Sequence, residues 1–159
     1  MAYSYENDQK GIDEKIFKLT ENVLTIINNE KIEDKLNVVT VHSNPCHFKT
    51  RKYLAIQFRE HMLKTKNVEL YVVELAYDDE PFEVTDKNNK NHLQLRTSRK
   101  NILWSKENMI NLGINKLLSK DWRAVAWADG DVLFDSATWA SDTLKILNGH
   151  CSIIFCVFR

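Results

Sequence analysis

The sequence predicts an α/β fold in which a mostly parallel sheet carries helices on both faces. Short β-branched apolar runs, Leu36 to Val41, Val68 to Ala76 and Ala124 to Ala128, alternate with stretches whose apolar residues fall at helical spacing. The chain is 159 residues long, a one-domain length, and its four Gly and two Pro leave no linker, repeat or biased tract.

The elements follow in order. Ile12, Ile16, Leu19, Val23 and Ile26 or Ile27 mark an amphipathic N-terminal helix, so residues 1–35 read as a polar segment with a helix and 36–159 as one globular domain. Leu36 to Val41 is the first core strand, and His42-Ser43-Asn44-Pro45 breaks it into a turn. Leu54, Phe58 and Met62 then define a helix over Thr50 to Lys64, with Thr50 as its cap. Val68 to Ala76 is the second strand and runs into the acidic turn Tyr77-Asp78-Asp79-Glu80-Pro81. Leu93 and Leu95 alternate with polar residues over His92 to Thr97, as in a short strand or a hairpin element.

Met109, Leu112 and Leu117 give a helix over Ser105 to Leu118, capped by Ser105. Arg123 to Ala128 reads as a buried strand that stops at Asp129-Gly130-Asp131 before Val132-Leu133-Phe134. Ser136 caps a helix to about Leu147, Asn148-Gly149 ends it, and Ser152 to Phe158 is a last strand. Right-handed crossovers would bring His42 to Asn44, Glu74 to Asp79 and Asp129 to Asp131 to one edge, where open sheets of this kind bind ligands.

Composition narrows the function. Lys plus Arg and Asp plus Glu each number 22, and no basic stripe alternates with aromatics, which argues against nucleic acid as a partner. No stretch approaches the ~18 apolar residues of a membrane span, and Met1 to Lys10 lacks the apolar core of a signal peptide, so a cytoplasmic protein is expected. Cys46, Cys151 and Cys156 lack C-x-x-C spacing and are expected to be reduced, partly buried thiols.

Two carboxylates separated by one glycine can both face a divalent cation, and hard oxygen ligands suit Mg2+ or Mn2+. Such an ion bridges diphosphate oxygens and stabilises a departing nucleoside diphosphate. Taken alone, D-x-D also occurs in solvated turns; its position after an apolar strand is what favours a ligand.

Trp104-Ser105-Lys106-Glu107-Asn108-Met109-Ile110-Asn111-Leu112-Gly113, followed by Val125-Ala126-Trp127-Ala128-Asp129-Gly130-Asp131, resembles the helix and D-x-D arrangement of the GT-A glycosyltransferases, especially small nucleotide-sugar transferases of viral and bacterial type. Ser43-Asn44-Pro45 and Glu74-Leu75-Ala76-Tyr77-Asp78 extend the likeness, which spans Val38 to Leu147. The resemblance implies a Rossmann-like GT-A sheet and transfer of a sugar from a nucleotide-diphosphate sugar, a UDP-sugar first among them, to a glycan or other hydroxyl acceptor. It also implies Asp131 as the main metal ligand, Asp129 on ribose or metal, Lys106 and Asn111 near the diphosphate, and Ser43, Asn44 and Glu74 near base and ribose.

Plainer roles stand beside these. Lys106 and Arg96 read equally as solvated cations or phosphate contacts, Glu74 as a ribose acceptor or a surface ion-pair partner, and the tryptophans chiefly as core. His42 and His47 lack the spacing of a zinc pair. Family members continue into an acceptor-binding half, whereas this sequence ends at Arg159 and only Asp142 and His150 stand out downstream, so no catalytic base is assigned. The alternative is a non-catalytic nucleotide-sugar-binding module that needs a partner chain, with a homo-oligomer as one form of it. A phosphatase or receiver domain fits less well, because the first strand ends in His42-Ser43-Asn44 rather than in a nucleophilic aspartate.

Overall fold

The computed structural model describes residues 34–122 and 124–149; the helix expected over Ile12 to Ile27, the strand expected over Ser152 to Phe158, and Cys151, Cys156 and His150 lie outside them. The elements are β1 (Leu36–Ser43), α1 (Lys49–Lys64), β2 (Val68–Tyr77), β3 (His92–Thr97), a 3-10 turn (Arg99–Asn101), α2 (Lys106–Leu117), β4 (Val125–Trp127) and α3 (Trp139–Gly149). The four strands form one sheet in the order β3-β2-β1-β4, and every neighbouring pair is parallel.

Alternation along the strands divides the core into two layers. Leu36 and Val38 of β1 and Leu70 and Val72 of β2 pack with Phe58 and Met62 of α1 and with Ala140 and Leu144 of α3. Val39, Val73, Leu75 and Tyr77 face the other way, onto Met109 and Leu118. Helices therefore cover both faces, which is why β1 and β2 read as near-continuous apolar runs. Helix α2 lies hard against its face at Gly113. A Cβ there would sit 2.7 Å from Val73 Cγ2 and 3.1 Å from Val39 Cγ1, so this approach requires glycine.

Several expected details come out differently. β3 pairs in parallel with β2, from Val72 with His92 to Tyr77 with Thr97, and is no part of a hairpin. Thr50 does not cap α1, whose N-cap position is Phe48 and has no side-chain cap bond. Ser105 does occupy the N-cap of α2, but its hydroxyl donates to Leu103 O instead of capping the first turn. The strand expected to be buried over Arg123 to Ala128 is the three-residue edge strand β4, and its Trp127 is 60% exposed. Among the described residues β4 pairs only with β1; Ala124 is buried, and Val125 and Ala126 are partly buried against the two core layers, so only Trp127 of the strand is exposed. Helix α3 starts at Trp139, three residues after Ser136, whose hydroxyl instead accepts the Thr138 N–H at 3.2 Å. Cys46 is exposed, not partly buried, because it sits in the turn after β1. No helix among the described residues is long and apolar enough to cross a membrane.

Candidate functional site

The chain steps from β1 to β2 to β3 in one direction across the sheet and then crosses back to place β4 on the other side of β1, so the strand order reverses beside β1. Crevices at such a reversal, beyond the carboxyl ends of the strands, are the usual ligand sites of open parallel sheets. A cavity of about 730 Å³ lies there, lined by the ends of β1 and β2, the first turns of α1 and α2, the segment before α2, and Asp129-Gly130-Asp131. That volume falls in the range of small-molecule sites.

Local chemistry shapes each wall. After β1, the Asn44 side chain accepts the Phe48 N–H at 2.9 Å and donates to Phe48 O at 3.2 Å, closing a turn in which His47 takes a positive φ of 53°. The turn delivers Thr50 and Arg51 to the cavity in the first turn of α1, and Arg51 Nη1 donates to Ser43 O at 3.0 Å. Ser43 Oγ and Tyr77 Oη lie 3.2 Å apart and tie the ends of β1 and β2. On the far wall, Ala128 N–H donates to Val39 O at 3.1 Å, extending the β4 pairing by one bond before the chain turns into Asp129. The Lys106 ammonium then pairs with Asp129 Oδ1, joining α2 to that turn.

Gly130 has no positive φ, and a Cβ on it would meet Ala55 and the Thr40 hydroxyl at 3.7 Å, an ordinary contact. The turn between the two aspartates thus needs no glycine for its conformation.

Ser43, Lys106, Asp129 and Asp131, four of the residues singled out from the sequence, line the cavity together. Asn44, Glu74, Arg96 and Asn111 do not. Asn44 is buried in the turn it closes and also donates to Glu83 Oε2 at 3.0 Å. Glu74, 2% exposed, continues the inward row of Leu70 and Val72, and its carboxylate accepts the N–H groups of Glu83, Val84 and Thr85 and the Thr85 hydroxyl. It anchors the β2–β3 loop. Arg96 donates to Asp78 O and, at 2.9 Å, to Glu80 O, with its guanidinium 4.8 Å from the Phe82 ring centre. Asn111 is exposed on α2, away from the cavity lining.

Arg51, Thr50, Tyr77 and the exposed Trp104 complete the lining and were not singled out. A signal for Arg51 exists in the sequence: a basic residue just after a strand-ending Asn-Pro turn belongs to the first turn of the next helix.

In the cavity wall, His42 Nε2 lies 3.2 Å from Glu83 Oε2. Burial raises the Glu83 carboxyl, but its bonds from Asn44 and His42 outweigh that and hold it below its ordinary value. Asp129 and Asp131 are the only carboxylates in the lining, and the described residues contain no group of three or more His, Cys, Asp or Glu that could hold a metal by themselves. Two exposed carboxylates beside open space suit magnesium or manganese, which fill their remaining positions with water and phosphate oxygens. They do not suit zinc, which takes a closed nitrogen and sulfur set in its structural sites.

Fold and site together define an α/β protein with an open, mixed-charge cavity at the reversal point of a parallel sheet. No protein-family model matches the chain, no curated protein matches it, and no solved structure matches it.

Proposed function

We propose that the cavity binds a nucleotide-diphosphate sugar, UDP-linked in the first instance, and that the protein is a metal-dependent glycosyltransferase of GT-A type acting on a hydroxyl acceptor. The chief support is that Asp129 and Asp131 share one cavity with the starts of two helices. Neither α1 nor α2 has a side-chain cap at its N-terminus, and α1 has no acidic residue in its first turn. Their amide groups and the positive ends of their dipoles favour an anion between them. Arg51 and Lys106 add two cationic side chains to the same lining.

Each group then has a task. The first turns of α1 and α2 bind diphosphate oxygens, Arg51 and Lys106 balance their charge, and Ser43 orients the ribose end by hydrogen bonding. Asp129 and Asp131 would hold a magnesium or manganese ion, whose contribution is Lewis-acid stabilisation of the leaving diphosphate. Catalysis on this scheme is chiefly electrostatic, through charges fixed before the substrate arrives.

A second reading, a binding module that needs a partner chain or a second copy for transfer, has its own support. Apart from the two aspartates, the described lining offers one imidazole, His42, and that ring is already engaged by Glu83. Incubation with manganese and a panel of nucleotide-diphosphate sugars separates the two. Release of free nucleoside diphosphate is expected of a transferase, whereas saturable binding without any release selects the module.

A further inference from the structure

We infer that Trp104 is an aromatic platform on which the base of a bound nucleoside diphosphate stacks, an assignment that rests on the diphosphate reading above. The indole lines the cavity while remaining 79% exposed, two residues before Lys106, whose ammonium reaches Asp129. Ile102, Leu103 and Trp104 are three consecutive exposed apolar side chains, and a run of that kind, unlike a single exposed one, marks a contact surface. The indole's single polar atom is already used, since Nε1–H donates to Glu107 Oε1 at 3.2 Å. What remains for a partner is the face of the ring. The Glu107 carboxyl is held below its ordinary value by its own backbone N–H and by this indole bond, which keeps the acceptor ionised.

The lining combines apolar and charged side chains. Ile102, Leu103 and Phe48 are exposed apolar side chains in the same lining as Trp104, and Leu103 is 75% exposed, whereas Arg51, Lys106 and the two aspartates supply the charge. A ligand that carries both a flat uncharged ring and an anionic group matches that combination. Bare pyrophosphate matches only the charged part. Stacking on an indole uses the π face that every base presents, so this platform contributes affinity without selecting among bases.

The experiment is isothermal titration of wild type, Trp104→Ala and Trp104→Phe with uridine diphosphate, guanosine diphosphate and inorganic pyrophosphate, each with manganese. Trp104→Ala is expected to weaken both nucleotides by about tenfold, within the range that stacking of one base supplies, while pyrophosphate binds as to wild type and Trp104→Phe recovers most of the loss. Because Trp104 is exposed, the melting temperature should stay at the wild-type value. Unchanged nucleotide affinity in Trp104→Ala, or a parallel loss for pyrophosphate, overturns the platform alone. A wild-type protein that binds none of the three overturns the diphosphate reading itself and the platform with it.

Discussion

Lys106, the first residue of α2, pairs with Asp129, the first residue of the D-G-D turn, and so bridges two walls of the cavity with opposite charges. Both side chains keep solvent contact, 27% and 52% exposed, so the pair contributes at most about 1 kcal/mol to stability. Its larger consequence is electrostatic: an ammonium occupies a carboxylate oxygen on which a divalent cation is proposed to bind.

Removing that ammonium should separate two affinities. In Lys106→Ala, manganese alone is expected to bind up to about fivefold tighter, because Asp129 is released, while uridine diphosphate with manganese binds more weakly for want of a phosphate partner. Titration calorimetry reads both. Weaker binding of manganese alone would contradict the competition.

Glu74 is a buried acceptor for three backbone amides and one hydroxyl of the β2–β3 loop. Glu74→Ala leaves those donors without a partner and should lower unfolding free energy by about 3 kcal/mol, with Glu74→Gln costing less because one carbonyl oxygen remains. Urea denaturation monitored by circular dichroism measures it. A loss below about 0.5 kcal/mol in Glu74→Ala would show that the loop does not depend on this anchor.

Substitutions at Gly113 and Gly130 should behave oppositely. Gly113→Ala drives a methyl to within 2.7 Å of Val73 Cγ2 and should destabilise by about 1–3 kcal/mol through overpacking. Gly130→Ala places its methyl at 3.7 Å from its neighbours without a positive φ to oppose it, and its melting temperature should match wild type. Equal melting temperatures for the two variants would contradict the close approach of α2.

Acidification should weaken the fold in two stages. Burial, with the Arg59 charge, lowers the His92 pKa from 6.5, and its Nδ1 accepts the Asp86 N–H at 2.9 Å. The unfolded chain therefore binds this proton first, and the contribution of neutral His92 is complete above about pH 6.5 and fades as pH falls through the folded value. Glu69, lowered by bonds from Asn91 and Lys35, and Glu83, lowered by Asn44 and His42 against the opposing effect of burial, contribute stability above about pH 4.5 that fades on further acidification. Urea midpoints across pH 3–8 check the order, and His92→Gln should flatten the upper stage.

Periodicity made much of the fold legible. The alternating apolar runs placed β1 and β2, and the spacing of Phe58, Met62 and Met109 placed α1 and α2, because burial on the two sheet faces imposes those patterns directly. What periodicity does not encode is which strand neighbours which. β3 looked like a strand or half of a hairpin because pairing partners are set by crossovers, not by local spacing. The edge position of β4 was hidden for the same reason, since Val125-Ala126-Trp127 is as apolar as a central strand.

The site was legible where chemistry follows an element boundary. Ser43, Lys106, Asp129 and Asp131 sit at a strand end, a helix start and the turn after β4, and they meet in space. Glu74 and Asn44 also sit near strand ends but are claimed by loop and turn amides, a demand that only the folded path of residues 44–48 and 82–85 reveals. Glu74 did leave a trace: counting in twos from Leu70 and Val72 puts it on an inward face.

Calorimetric titration of uridine diphosphate into wild type and Asp131→Asn, with manganese and again with excess chelator, bears most directly on the proposed cation-assisted diphosphate site. The expected result is saturable binding by wild type with manganese, lost with chelator and at least about tenfold weaker in Asp131→Asn, where the charge is gone but the shape is kept. Binding that is indifferent to both chelator and substitution, or no binding by wild type at all, would contradict it.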